Sequence, residues 1–272
     1  MITVVPIAGL CNRMRVVDSA IALAQATGKR LRVYWFANKD LQCDFKDLFR
    51  PIPGVEVIDG MGRASRLAFR FGRHHRLMAR VGSMTGGRYY YWNENERLEK
   101  DAAMPKDLAG SRHIHIISYW RFLDRPDRYN GFHPIQELQA RIDAITKDFD
   151  PWMVGVHIRR TDNVKAIAQS PTSLFIEAMR TRLAKEPRSR FYLATDDEGT
   201  KADLLDHFGD KVVTSQRPAV RTSAEGIQDA LVDLYCLSRT SQLFGSFFSS
   251  FSRTAAELGN IPAIIVQQQP VS

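Results

Sequence analysis

Three segments in the second half of the chain each run off an apolar stretch onto groups that can hold an anion. The first is Gly155-Val156-His157-Ile158-Arg159-Arg160-Thr161-Asp162. The continuous apolar run over 153–158 reads as a buried strand. Neighbouring side chains point opposite ways along a strand, and Arg159 and Arg160 fall where this one gives way to its loop. A guanidinium there can form two parallel hydrogen bonds to a phosphate, and Asp162 can orient one of the arginines by ion pairing. The plainer reading is a solvated basic turn beside a satisfied His157. The second segment, Phe191-Tyr192-Leu193-Ala194-Thr195-Asp196-Asp197, ends a strand on two adjacent carboxylates. Such a pair can bind a metal with a nucleotide's phosphates or accept hydrogen bonds from base or ribose. Equally, Asp196 or Asp197 can cap a helix starting near residue 199. The third, Gly245-Ser246-Phe247-Phe248-Ser249-Ser250-Phe251-Ser252-Arg253, opens a helix with serines. Free amides at a helix N-terminus plus hydroxyls make an anion site, and a phosphate there would explain Arg253 in a first turn that disfavours cations. Ordinary capping by Ser249 or Ser250 is the alternative.

The elements around these segments read as an alternating series. Residues 2–7 form an apolar strand. Residues 15–27 have helical spacing, with Val16, Ala20, Leu23 and Ala24 on one face and Gly28 as a stop. Residues 31–36 form the next strand, completing a βαβ unit with a parallel pair. A strand over 113–118 follows a less regular middle. Beyond a polar helix at 134–147 come strands at 153–158, 190–195, 211–214, 242–245 and 263–267. Between them lie helices at 171–186, with Ser170 as N-cap and Pro171 in the first turn, and at 199–208, 224–238 and 249–258, the last ended by Gly259. The alternation predicts doubly wound parallel sheets in two α/β domains, 1–135 and 136–272. Ligands of such sheets bind outside the carboxyl ends of the strands, which is where all three segments fall.

Composition sets limits. The chain has 272 residues and no apolar run near the roughly 18 that cross a bilayer. Residues 1–7 lack the basic flank and cleavage site of a signal peptide, so they read as a first strand and the expected location is the cytoplasm. Cys11, Cys43 and Cys236 are too widely spaced for a metal or disulfide framework and read as small buried apolar residues. The net charge is +8, and nearly all of it sits in one stretch holding Arg63, Arg66, Arg70, Arg73, Arg76, Arg80 and Arg88 with no lysine or acid. The first six recur every three or four residues, a stripe if that stretch is helical. A solvated helix face accounts for it. So does an anionic acceptor or membrane surface, or nucleic acid stacked on the run Tyr89 to Trp92. The near-neutral remainder argues against a dedicated nucleic-acid binder.

Together and in this order, the three segments resemble the C-terminal motifs of the GDP-fucose-using transferases: the α1,6-fucosyltransferases, the rhizobial nodulation fucosyltransferases and, more distantly, the protein O-fucosyltransferases. Ala8-Gly9-Leu10-Cys11-Asn12-Arg13-Met14 resembles the same superfamily's N-terminal glycine-rich loop. The resemblance covers most of the second domain and about the first 35 residues; residues 40–150 do not align. It implies two Rossmann-like domains facing across a cleft, the GT-B glycosyltransferase arrangement, with the acceptor on the N-terminal side and the nucleotide sugar on the C-terminal side. It implies an inverting transfer of L-fucose from GDP-fucose with no metal, the arginines standing in for a cation.

By that resemblance Arg159 and Arg160 are catalytic, holding the diphosphate as charge grows on its β-phosphate. The donor-binding residues are Asn12, Arg13, His157, Asp162, Asp196, Asp197, Ser249, Ser250 and Arg253. The implied acceptor is a glycan, a glycolipid or a polysaccharide, and the stripe at 63–80 would touch a membrane face or acidic polymer. Cys11 stands where that loop commonly has glycine, and the chain is short for the family, so acceptor-binding insertions are missing. No general base stands out: His74, His75, Glu94 and Glu96 are the unplaced candidates. Two other classes remain open, the same fold with another nucleotide sugar and a non-catalytic anion-binding protein.

Overall fold

A computed structural model of the chain describes residues 1–60, 86–92, 110–161, 164–217 and 222–268. The arginine stripe at 63–80, Asp162, His74, His75, Glu94 and Glu96 lie outside them. The chain forms two compact units, Met1–Ile135 and Gln136–Ser272.

The first unit carries β1 (Ile2–Pro6), α1 (Leu10–Thr27), β2 (Leu31–Trp35), β3 (Val55–Asp59), β4 (Gly87–Trp92) and β5 (His113–Ser118). Its strands are all parallel, in the order β3-β2-β1-β5-β4. The helix expected from residue 15 begins at Leu10, because the glycine-rich loop itself turns directly into the first helical turn. Two strands were not foreseen. β3 is a short alternating run, and β4 is the aromatic run, which lies beside β5 with Tyr89 opposite His115. All three cysteines are free and buried.

The second unit carries α2 (Gln136–Thr146), β6 (Met153–Ile158), α3 (Val164–Gln169), α4 (Thr172–Lys185), β7 (Arg190–Thr195), α5 (Glu198–Phe208), β8 (Val212–Thr214), α6 (Ala224–Ser238), β9 (Gln242–Ser246), α7 (Ser250–Gly259) and β10 (Ala263–Val266). Its five strands are also parallel, in the order β10-β9-β6-β7-β8. β6 is first in the chain and central in the sheet. The chain builds outward through β7 and β8, then returns to the other side of β6 as β9. The switch point of a doubly wound sheet therefore lies between the carboxyl ends of β6 and β9.

The sheet of this unit is a near-continuous apolar layer, as expected for strands covered on both faces. Val154, Val156, Ile158, Phe191, Leu193 and Phe244 pack with Phe175 and Met179 of α4 and Leu204 of α5. Each large side chain so buried is worth about 1.5–3 kcal/mol. On the opposite face the layers come close. A Cβ on Gly155 would lie 2.9 Å from both Leu243 and Thr240 side chains, and one on Gly259 only 1.9 Å from the carbonyl oxygen of Ser238. That approach of α7 to α6 explains Gly259. It is not the helix stop: α7 runs through it and ends on Asn260, whose left-handed backbone (φ 49°) makes the cap. Among the described residues no helix is long and apolar enough to cross a membrane.

Candidate active site

The three segments end three adjacent strands, β9, β6 and β7, and their side chains bind one another. Ser246 ends β9 with no exposed surface. Its hydroxyl donates to the carbonyl of His157 at 3.2 Å and accepts the amide of Arg159 at 3.0 Å. The β6–β9 ladder pairs His157 with Gly245, so the serine side chain continues the pairing where the strands part. From the other neighbour, Asp196 accepts the amide of Arg160 at 2.6 Å and the Thr161 hydroxyl at 2.8 Å. Its Oδ2 also lies 3.8 Å from Arg159 Nε. The loop after β6 is thus held from both sides, with the amides of Arg159 and Arg160 both paired.

The two arginines take different parts. Arg160 turns its guanidinium into the protein: NH1 donates to the Arg159 carbonyl at 3.0 Å, and NH2 to the Ser170 carbonyl at 2.7 Å and Thr172 Oγ1 at 3.0 Å, with Nε 3.2 Å from the same hydroxyl. Burial pulls it below the usual arginine range, with Asp196 and Asp197 acting the other way. The side chain of Arg159 is about one-fifth exposed (22%) beside Asp196. Of the pair, Arg160 braces the loop with its guanidinium, and Arg159 keeps part of its side chain exposed beside Asp196.

The carboxylates divide as well. Asp197 caps α5, its Oδ2 accepting the Thr200 amide at 2.7 Å, which is the structural alternative weighed for it. Asp196 does not cap; it clamps the β6 loop. His157 is buried and half-turned toward α7, with Nδ1 2.8 Å from Ser252 Oγ and its ring stacked on Phe251 at 4.7 Å. Ser252 in turn sits so tightly on β9 that a Cβ on Gly245 would come within 2.7 Å of it, which is why β9 carries glycine there. Ser249 is the N-cap of α7, accepting the Ser252 amide at 3.3 Å. Ser250 opens the helix and Arg253 stands exposed in its first turn, with no acid in that turn. Among the described residues Arg253 makes no side-chain hydrogen bond or ion pair. Phe248, between Ser246 and the helix, is 54% exposed with its backbone at φ 50°. A bulky residue in that left-handed region is strained, and such strain gathers at functional turns.

In the first unit the glycine-rich loop sits at the carboxyl end of β1. Ala8 takes a left-handed backbone (φ 67°) and turns its carbonyl to Arg13 Nε at 2.8 Å. Arg13 has no exposed surface. It also donates to the Phe36 carbonyl at 2.7 Å and to Asn38 Oδ1 at 2.9 Å, and its guanidinium lies over Trp35. Burial lowers it to about 10. Arg13, expected among the donor-binding residues, ties the ends of β1 and β2 together with no exposed surface. Asn12 is half-buried in the same turn, and its Oδ1 accepts from Arg15, whose guanidinium lies 4.8 Å over Trp120.

Ser246, Ser170 and Thr172 do site work that the sequence reading did not assign to them. Ser246 stood in the third segment, and strand alternation could have turned it toward β6; the other two lie outside every segment. Ser170 was expected to cap α4, but that helix has Pro171 at its N-cap with no side-chain cap bond.

Two parallel α/β units, one with two arginines and the serine-capped start of α7 beside its switch point, define the Rossmann-like, GT-B glycosyltransferase class of fold. Solved structures agree. The chain is similar to NodZ α-1,6-fucosyltransferase from Bradyrhizobium, in a crystal soaked with GDP-fucose, at TM-score 0.65 and 20% identity over 97% of this chain and 94% of that one. It is similar to an Arabidopsis thaliana FUT1 variant in complex with GDP at TM-score 0.65 and 14% identity, over 97% and 69% of the two chains. It is also similar to POFUT1 in complex with GDP-fucose at TM-score 0.58 and 11% identity, over 97% of each chain. No protein-family model and no curated protein sequence matches the chain. The expected fold class is thereby met, on structure alone.

Proposed function

We propose that this protein is an inverting glycosyltransferase that moves a sugar, L-fucose from GDP-fucose, to the hydroxyl of a glycan, glycolipid or polysaccharide acceptor. The observation that carries the proposal is that Arg159 follows β6 beside Ser246 at the end of β9, while the serine-capped α7, with Arg253 exposed in its first turn, opens just after β9. As the glycosidic bond breaks, negative charge builds on the β-phosphate oxygen. A guanidinium fixed there is worth more in the transition state than before it, which raises the rate. Arg159 is that group. Arg160, Asp196 and Ser246 hold its loop, and the amides after Ser249 with Ser250 and Arg253 take the remaining phosphate charge. Asn12, Asp162 and His157 complete the donor set, His157 by holding α7 through Ser252.

Arginines and helix amides can neutralise a diphosphate without a cation, and the adjacent Asp196 and Asp197 are committed to a loop and a helix cap. Both observations support metal-independent transfer. GDP and GDP-fucose in the similar structures favour that donor over another nucleotide sugar. The reading also carries a cytoplasmic location, with the arginines at 63–80 as a peripheral contact to membrane or acidic polymer.

Calorimetric titration with GDP, GDP-fucose, GDP-mannose and UDP-glucose in chelator tests it. Binding of GDP and GDP-fucose alone is the expected result. Preference for UDP-glucose would remove the fucose assignment, and no binding of any would leave a non-catalytic anion-binding protein.

A further inference from the structure

One residue outside the three segments touches the loops of two of them. Ser170 lies just before α4 and has no exposed surface. Its hydroxyl accepts the amide of Phe247 at 2.8 Å, at the turn between β9 and α7, and donates to the carbonyl of Val266 at the end of β10. Its own carbonyl accepts Arg160 NH2 at 2.7 Å. The neighbouring Gln169 carbonyl accepts the amide of Gln268 at 2.8 Å, sealing the same junction. A single buried serine therefore joins the arginine loop after β6 to the serine turn after β9, and both to the last strand. Its one hydroxyl hydrogen and its lone pairs are used on opposite sides, so losing the hydroxyl takes a partner from both the part-buried Phe247 amide and the buried Val266 carbonyl.

We infer that Ser170 is a positioning residue of the donor site, coupling the arginine loop to the turn that opens α7 so that both take a diphosphate in one fixed geometry. This rests on the donor-binding reading above. Ser170 touches no ligand itself. It acts by setting the Phe247 amide, and with it the strained Phe248 and the cap Ser249, relative to Arg160 and so to Arg159. Loss of a buried hydrogen-bonding partner leaves donors and acceptors unmet, and a loosened site loses affinity in proportion.

The test uses Ser170→Ala and Ser170→Thr in the full chain, with two readouts. Hydrogen–deuterium exchange over 159–161 and 247–250 needs no ligand. GDP titration, with donor KM and kcat, reads the site. In S170A both loops are expected to exchange faster together, with GDP affinity about tenfold weaker and the thermal midpoint still far above the assay temperature. S170T, which keeps the hydroxyl, is expected to restore both. If the substituted methyl prevents folding of S170T, Arg160→Lys takes its place: keeping the charge but losing the fork, it must loosen the Phe247 turn as S170A does. Unchanged exchange of one loop while the other responds overturns the coupling, as does a drop in thermal midpoint with unchanged GDP affinity. Failure of the wild-type protein to bind GDP sinks the donor reading instead, and the paired exchange response then decides the coupling by itself.

Discussion

Asp196, at the end of β7, holds the backbone amide of Arg160, at the end of β6, at 2.6 Å. The carboxylate also takes the Thr161 hydroxyl and lies near Arg159 Nε, so one acid fixes a loop whose working groups are cations. Asp196→Ala removes both acceptor oxygens. It is expected to lower transfer about a hundredfold, with Asp196→Asn, which keeps one oxygen, near tenfold. Steady-state kinetics with GDP-fucose decide it; equal activity of both variants and wild type would show that the loop stands without its clamp.

The arginines should separate in the same assay. If Arg159 holds the donor phosphate as proposed, Arg159→Lys loses its bidentate fork and is expected to cost 10²- to 10³-fold in kcat, by the scale of a lost transition-state donor, with the thermal midpoint unchanged. Arg160→Ala orphans the carbonyls of Arg159 and Ser170 and is expected to lower the midpoint by about 5 °C as well as impair transfer. Calorimetric melting curves of the two variants side by side test the division, and matching melting losses would refute it.

The close contact behind Gly245 gives a double-mutant test. Gly245→Ala places a methyl 2.7 Å from Ser252 Cβ and is expected to destabilise by about 1–3 kcal/mol, pushing α7 off β9. Ser252→Gly should relieve most of that stability loss in the double variant but not the loss of activity, because His157 then has no hydroxyl partner. Additive stability effects in urea unfolding would show that the two sites do not touch.

A pH effect comes from outside the site. Asp233 of α6 accepts the Tyr192 hydroxyl at 2.6 Å. Burial raises its carboxyl to about 6, countered by that bond, with Asp229 adding to the rise and Lys201 and Arg141 opposing it. Unfolded, it titrates at the ordinary carboxylate value of about 4. Between these values the native state binds the extra proton, so stability falls as pH rises from 4 to 6 and is flat in this group above that. Relative to Asp233→Asn, the wild type should lose up to roughly 3 kcal/mol across that window, read from urea midpoints at each pH. Parallel curves for the two proteins would refute the assignment.

Most of the second unit could be read from its residues because its strands are uniform apolar runs that leave no ambiguity of face. Met153–Ile158 and Arg190–Thr195 fall where their patterns put them, as does His113–Ser118 in the first unit. β3 and β4 were not legible. Val55–Asp59 carries two acids in five residues, and Gly87–Trp92 is an aromatic run; their place comes from pairing with β2 and β5, not from a local pattern. In the site, residue type could be read but direction could not. Arg13, Arg159 and Arg160 are alike as letters, and only the carbonyls around them show that Arg13 and Arg160 face inward. Ser170 had no signal of its own, since a serine before a proline-led helix looks like a cap until its partners are known.

The order of strands in the second sheet bears on how the protein is made. The groups that meet at the switch point are far apart in the chain: Arg159 and Ser246 by 87 residues, His157 and Ser252 by 95, Ser170 and Val266 by 96. Such distant pairings close late and slowly. As the chain leaves the ribosome, the arginine loop emerges long before the strand and helix that hold it. Asp196 can hold the Arg160 amide once β7 is made, but the Arg159 amide waits for Ser246 of β9. A nascent chain halted before Val266 would have Arg159 and Arg160 without the last strand carbonyl that Ser170, the residue joining their loop to the turn after β9, is bonded to.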